Sequence, residues 1–311
     1  MKLSIVATLY RSAPYIPEFY QRVCSVASQI VGDDFEIILV NDGSPDDSLA
    51  VAVELSRQDS RVCVVDLSRN FGHHKAMMTG LAYSCGEHVF LIDSDLEEEP
   101  EWLLTFHELL NKHLVDVVFG VQVARRGGLF EKFTGAIFYK LFRFLTGVAQ
   151  PDNIVTARLM SRRYVDALLS HREREINIGG LWIITGFAQL QYSVQKHATS
   201  PTTYNFIRKF EHLVNAVTSF SNAPLTFIFY LGSLILMMTS FYVTYLAYRY
   251  IFVSQPPDGY TSLMVSVWLL AGLVIFSVGV LGIYLSKVFS EVKQRPYTIV
   301  RDVYKSTTKE S

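Results

Sequence analysis

Val89-Phe-Leu-Ile-Asp-Ser-Asp-Leu-Glu-Glu-Glu-Pro-Glu-Trp102 opens with four apolar residues and then places six carboxylates between Asp93 and Glu101. A short β-branched and aromatic run of this kind reads as a strand buried on both faces. Asp93 and Asp95 then fall just past its carboxyl end. Glu98, Glu99 and Glu101 fall where a following helix begins, near Pro100, and would complement its dipole.

Similar runs recur upstream and downstream. Residues 3–9 (LSIVATL), 35–40 (FEIILV), 62–67 (VCVVDL) and 115–121 (VDVVFGV) join 89–92 as expected strands. Amphipathic stretches separate them, at about 16–29, 48–58, 75–84 and 100–112. Alternating strand and helix predicts an α/β domain with an open, mostly parallel, Rossmann-like sheet. In such a sheet ligands bind beyond the carboxyl ends of the strands, where the strand order reverses. The candidates are therefore Thr8, Leu9 and Tyr10, then Asp42, then Asn70, and then Asp93, Ser94 and Asp95. There is no GxGxxG after the first strand and no GxxxxGK[ST] anywhere, which excludes a dinucleotide cradle and a P-loop.

Two carboxylates one residue apart, Asp93 and Asp95, suit a hard divalent cation that completes its shell with substrate phosphates. Asp42 is placed to accept from the imide N–H of a uracil base, or to close an Asx-turn. Lys75, near a helix start, opposes the helix dipole unless an anion shares the site. His73 and His74 alone, without further ligands at suitable spacing, are weak as metal ligands.

The rest of the chain is apolar. Half of the residues are hydrophobic and 18% are charged, with a net charge of -1 that gives nucleic acid no general field. The excess lies in the charge-free stretches 225–248 and 259–286. Each exceeds the roughly 20 residues that cross about 30 Å of hydrocarbon. Ten residues with Pro256-Pro257 separate them, so the expectation is a transmembrane hairpin with helices at about 225–248 and 261–286. Arg208 and Lys209 precede it, and six Lys or Arg follow from Lys287 onward. The positive-inside bias therefore puts both termini and the N-terminal domain in the cytoplasm of a multi-pass membrane protein. The expected division is 1–196 for the α/β domain, 197–222 for an interfacial amphipathic segment, 223–288 for the hairpin and 289–311 for a basic tail. Gly272, Gly279 and Gly282 would allow close helix packing, within the hairpin or in a homo-oligomer. Cys24, Cys63 and Cys85 lack metal spacing and read as reduced thiols.

The ordered motifs SIVATLY, VNDGSPDDS, LSRNFGHHKAMMTGL, IDSDLEEEPE, ARLMSRR, TSFSNAPL and GVLGIYLSKVFSEVKQRP resemble family 2 glycosyltransferases of the polyprenyl-phosphate type. That group includes dolichol-phosphate mannosyltransferase and the bacterial undecaprenyl-phosphate glucosyltransferases of O-antigen modification. The resemblance implies a GT-A fold, a Mg2+ or Mn2+ ion on the DxD pair, and inverting transfer of a sugar from a nucleotide sugar to undecaprenyl phosphate. It places this at the cytosolic face of the bacterial inner membrane, beside a flippase and a downstream membrane glycosyltransferase.

Carried over, Asp42 would contact uracil and the Thr8–Leu9–Tyr10 backbone would line the base. Asn70, Lys75 and Ser94 would complete the nucleotide-sugar site. Asp93 and Asp95 would meet the ribose, metal and diphosphate. Arg125, Arg126 and Arg158 would take the acceptor phosphate or the donor diphosphate, and Asp95, Glu97 and Arg158 would form the catalytic set.

The chain departs from the family pattern at Arg11-Ser12-Ala13 (family NEE), Asp95-Leu96-Glu97 (DLQ), Val155 to Met160 (GDFRLM) and Thr202-Thr203-Tyr204 (Ser-Lys-Tyr). Thr156 thus stands where relatives carry an aspartate proposed as base. A phosphate monoester, already anionic near neutral pH, tolerates that loss, whereas a saccharide hydroxyl acceptor would need Glu97 or Glu98 as base. The readings left open are transfer to such a hydroxyl, or a catalytically silent scaffold that recruits other membrane proteins.

Overall fold

The computed structural model describes residues 1–122, 153–171, 173, 176–196, 223–252 and 259–306. In chain order the elements are β1 (Leu3–Leu9), α1 (Ile16–Val31), β2 (Phe35–Asn41), α2 (Ser48–Gln58), β3 (Val62–Leu67), α3 (His73–Tyr83), β4 (His88–Leu91) and α4 (Trp102–His113). They continue with β5 (Val117–Gln122), β6 (Ile154–Ser161), α5 (Arg162–Ser170), α6 (Ile178–Ile184), β7 (Gln189–Val194), α7 (Ala223–Phe252), α8 (Tyr260–Val292) and β8 (Val300–Lys305).

The strands form one sheet in the order β7-β5-β6-β4-β1-β2-β3-β8. β4, β1, β2 and β3 run parallel, and every residue of β1, β2 and β3 is buried. Alternate side chains explain this burial. Ile5, Ala7, Leu9, Ile37 and Leu39 join Phe19, Val23 and Phe106 on one face, while Val6, Ile38, Val40 and Val65 join Met77, Leu81 and Tyr164 on the other. A strand sandwiched between helices in this way needs apolar residues at both parities, hence the continuous runs.

The flanks are mixed rather than parallel. β6 is antiparallel to both β4 and β5, β7 is parallel to β5, and β8 is antiparallel to β3. Residues 289–311 are thus more than a basic tail, since Val300–Lys305 supplies an edge strand. Arg301 fastens it, donating to the Ser68 carbonyl at 2.6 Å and lying 3.4 Å from the Asp66 carboxylate, whose other oxygen accepts from Asn41. Cys24 is half-buried, Cys63 buried and Cys85 exposed, and all three are free thiols.

The order of the parallel strands reverses at β1. β2 and β3 lie on one side of it and β4 on the other, so the crevice beyond the ends of β1 and β4 is the switch point. Gly43 sits on its rim at φ 58, and a Cβ there would lie 2.4 Å from the Asn70 nitrogen. Only glycine lets the loops after β2 and β3 approach so closely.

The chain divides into two compact units, one carrying the sheet with α1 to α6 and the other carrying α7 and α8. In the second unit, Leu270–Val292 is long and apolar enough to cross a membrane among the described residues, and Pro224–Ile235 is a shorter apolar stretch. The expected pair of spans therefore has one counterpart that meets the length criterion. Segment 197–222 lies outside the described residues.

Candidate active site

The residues after β1, β2, β3 and β4 converge on the switch-point crevice. Asp93 is at its centre. One of its carboxylate oxygens accepts from the Thr156 hydroxyl at 2.9 Å, and the other lies 3.2 Å from His73 Nε2 yet has no hydrogen bond of good geometry. Burial alone would raise the Asp93 pKa, but the close contact and charge of His73 hold it below the usual range. His73 responds in the opposite sense: burial pulls its pKa down, and Asp93 more than compensates, raising it. His73 Nδ1 in turn lies 3.0 Å from the Thr8 hydroxyl.

Asp95 accepts from the Glu97 backbone N–H at 3.0 Å. The intervening Leu96 is held at φ 59, left-handed backbone that an aliphatic residue adopts only at a cost of about 1–2 kcal/mol. Burial and the neighbouring Asp93 charge raise the Asp95 pKa. The pair thus concentrates negative charge that His73 offsets at close range and Lys196 from farther away, and it leaves one buried Asp93 oxygen without a hydrogen bond among the described residues. That donor set fits a hard divalent cation, with Asp93 and Asp95 as its protein ligands. Among the described residues no three His, Cys, Asp or Glu side chains form a closed metal cage, so such an ion would draw the rest of its shell from substrate or water.

Glu98 differs from the expectation of a dipole residue. Helix α4 begins only at Trp102, and Glu98 is fully buried, its two oxygens accepting from the backbone N–H groups of Thr156 at 3.0 Å and Ala157 at 2.8 Å. It therefore fixes the start of β6 against the DxD loop. Lys196, just past β7, lies 3.2 Å from Glu97 and 3.6 Å from Glu98. Burial and the Asp93 charge push the Glu98 pKa up to about 8, against the pull of Lys196 and the two N–H groups. Glu101, by contrast, pairs with Arg22 through a 2.6 Å contact on the surface.

The other expected nucleotide-sugar residues fall into two kinds. Asp42 is buried, and its oxygens accept from the N–H groups of Phe71 at 2.7 Å and Gly72 at 3.0 Å. Its carboxylate thus holds the β3–α3 loop in place, with one further lone pair per oxygen to offer a base. Ser94 is equally structural, its hydroxyl donating to the Thr8 carbonyl at 2.7 Å. Leu9 is buried, whereas Tyr10 and Asn70 are exposed on the rim and Lys75 stands in the first turn of α3.

Arg158 is not where a phosphate in the open crevice would find it. It is 1% exposed, on the α6 face of β6, stacked over the Trp182 ring, and burial pushes its pKa down to about 9. Arg125, Arg126 and Thr202 to Tyr204 lie outside the described residues.

With this geometry in view, comparison with known proteins is specific. The family model described as glycosyl transferase family 2 matches residues 4–169, more than half of the chain. The chain belongs to glycosyl transferase family 2. A Mycobacterium tuberculosis (strain CDC 1551 / Oshkosh) protein named among the glycosyltransferases is 51% identical over 100% of this chain and 91% of its own length. The glycosyltransferase sll0501 of Synechocystis sp. is 33% identical, covering 98% and 96%. The bactoprenol glucosyl transferase of Shigella phage SfII is 28% identical, covering 97% and 98%. Among solved structures, S. aureus TarS 1–349 in complex with UDP-GlcNAc aligns at TM-score 0.48 and 19% identity, over 70% of this chain and 66% of that one. The protein is accordingly a glycosyltransferase with a GT-A-like mixed sheet.

Sequence reasoning missed His73 and Lys196 as members of this site. His73 was discounted because it belongs to no metal spacing; its partners come from β1 and β4, 65 residues and 20 residues away in the chain. Lys196 carried one weak signal, an isolated cation at the end of the apolar-polar alternation QLQYSV.

Proposed function

We propose that the protein transfers a sugar from a UDP-sugar to undecaprenyl or another polyprenyl phosphate, with inversion, at the cytosolic face of the bacterial inner membrane. Its α7–α8 segment would be a two-span anchor, and the lipid-linked product would feed cell-surface glycan synthesis of the O-antigen type. The observation that carries this reading is how the carboxylates around the crevice are engaged. Asp93 and Asp95 would hold the cation, Glu98 is bound to two backbone N–H groups and Glu97 is paired with Lys196. Thr156 occupies the position opposite Asp93 and cannot act as a carboxylate base. A site so arranged favours an acceptor that is already an anion, as a phosphate monoester is.

In this reading Tyr10, Asn70 and Asp42 frame the uridine, and Lys75 faces the diphosphate. A Mg2+ or Mn2+ ion on Asp93 and Asp95 would neutralise charge on the departing diphosphate. An acceptor phosphate oxygen attacks the anomeric carbon as the bond to UDP breaks, so no proton need be removed in the step. Arg125 and Arg126 remain basic candidates for holding that phosphate. The reach of the 28% relative's name, bactoprenol glucosyl transferase, over nearly the whole chain supports the lipid acceptor.

The test is to incubate the purified full-length protein with a panel of nucleotide sugars and undecaprenyl phosphate, with and without EDTA, and to follow products by mass. A lipid-linked sugar that disappears with EDTA is expected. No lipid-linked sugar from any donor would overturn the proposal.

A further inference from the structure

Beside the crevice, on the α6 face of β5, β6 and β7, lies a half-enclosed cavity of about 270 Å³. Its walls include Phe119, Ile154 and Ile183, with Gln191, and it is also lined by Arg158 and Trp182. Two of the polar side chains lining it, Trp182 and Arg158, stand out. The Trp182 indole N–H is buried and has no hydrogen-bond partner among the described residues, although the Trp182 carbonyl accepts from both Tyr164 and Gln189. Arg158 is fully buried, and among the described residues its guanidinium donates to two carbonyls of its own strand, at 3.3 and 3.4 Å. Among the described residues no carboxylate lies within ion-pairing distance of it.

A buried donor without a partner costs about 1–3 kcal/mol, and more when it is charged. One unpartnered donor and one buried guanidinium with no carboxylate facing it, lining one cavity, form a site that is incomplete by itself. The Arg158 guanidinium stays protonated near neutral pH, and its pKa is lowered because burial outweighs the opposing pull of Tyr164 and Glu98. An anion in the cavity would supply the acceptor that Trp182 lacks and a counter-charge for Arg158 at once, and the planar fork of guanidinium suits oxygens set side by side on one central atom. The apolar walls leave room for carbon beyond the anionic group. β6 links this cavity to the crevice directly, since Arg158 and Thr156 lie two residues apart on the strand and the Thr156 hydroxyl donates to Asp93.

We propose that this cavity is an oxyanion pocket that takes a phosphate monoester, its oxygens on Arg158 and the Trp182 N–H and its organic end against Phe119, Ile154 and Ile183. Two sources share that chemistry, the headgroup of a prenyl phosphate and free phosphate ion. The first rests on the lipid-acceptor reading given above, and the second does not.

Trp182 is one of three tryptophans, so full-length protein labelled with 5-fluorotryptophan gives a 19F resonance for it, assigned with Trp182→Phe. Inorganic phosphate, geranyl phosphate and geraniol are titrated in turn. A saturable shift of the Trp182 resonance with either phosphate, and none with the neutral alcohol, is expected. A shift with both assigns the pocket to the phosphate group itself, and a shift with geranyl phosphate alone assigns it to the lipid headgroup.

Trp182→Phe keeps the ring and removes the N–H. It should weaken phosphate binding about tenfold or more, the equivalent of one hydrogen bond to a charged group. It should also raise KM for the prenyl phosphate while leaving KM for the donor unchanged. Gln191→Glu, which adds a competing carboxylate to the lining, should weaken binding similarly and keeps the test open if an Arg158→Lys variant does not fold. Absence of a shift with both phosphates, an equal shift with geraniol, or undiminished binding in folded Trp182→Phe and Gln191→Glu would overturn the proposal. If phosphate shifts Trp182 but no sugar reaches any prenyl phosphate, the pocket stands and the lipid-acceptor reading falls.

Discussion

Glu98 shows how much a single side chain can hold at this site. Its oxygens take the two N–H groups that begin β6, and that grip places Thr156 against Asp93. Glu98→Gln turns one of those acceptors into a donor facing a backbone N–H in a buried place. Stability should fall by about 1–3 kcal/mol, read as a lower urea midpoint, and cation binding should weaken with it. Asp46 gives a second expectation, one that depends on pH. Burial opposes its charge, but Ser44, Ser48 and the Ala13 N–H outweigh that and lower its pKa to about 2. The unfolded chain then binds more protons than the folded chain in this range. The Asp46 contribution is thus fully present above about pH 4 and lost as pH falls toward 2. A urea midpoint that declines over that window in the native protein should decline less in Asp46→Asn. At this scale the sequence revealed which strand ends matter, because Asp93 and Asp95 follow an unbroken apolar run. It did not reveal which carboxylates are engaged, since the partners of Glu98 lie about 58 residues onward on a strand whose own pattern was obscure.

That strand is β6, and its obscurity has a physical cause. IVTARLMS places Thr156 and Arg158 at positions where a central strand normally carries aliphatic residues, and both polar side chains find buried tasks instead. β7 is hard to read for the opposite reason: it is largely exposed and therefore polar. By contrast β1, β3 and α2 begin and end at the residues expected, because β1 and β3 are buried on both faces and α2 starts directly after the N-cap residue Asp47. β8 gave almost no signal, as an edge strand needs one apolar face at most. Truncation after Pro296 should expose the outer edge of β3 and leave the Asp66 carboxylate without Arg301. The expected result is a Tm lower by several degrees and a concentration-dependent loss of soluble protein, with light scattering as the check. An unchanged Tm would mean that β8 contributes nothing to the sheet.

For the whole molecule, the chain divides into a sheet-bearing unit and a second unit of two helices. Two helices of 30 and 33 residues carry Phe227, Phe229, Tyr230, Phe241, Leu263, Ile275 and Leu285 exposed. Exposed apolar side chains grouped in this way mark a surface that contacts a membrane or a partner. The full chain should remain in the membrane pellet after alkaline carbonate washing and enter solution only with detergent. Recovery in the carbonate supernatant would refute a spanning anchor.

β8 also has a consequence for synthesis. It follows both apolar helices in the chain, yet it pairs with β3, which was completed more than two hundred residues earlier. During translation β1 to β7 emerge first and wait with one border unpaired while α7 and α8 are made. β8 then pairs with β3, so a ribosome stalled within α8 would leave a nascent chain with the candidate site residues in place and the β3 border still seeking a partner.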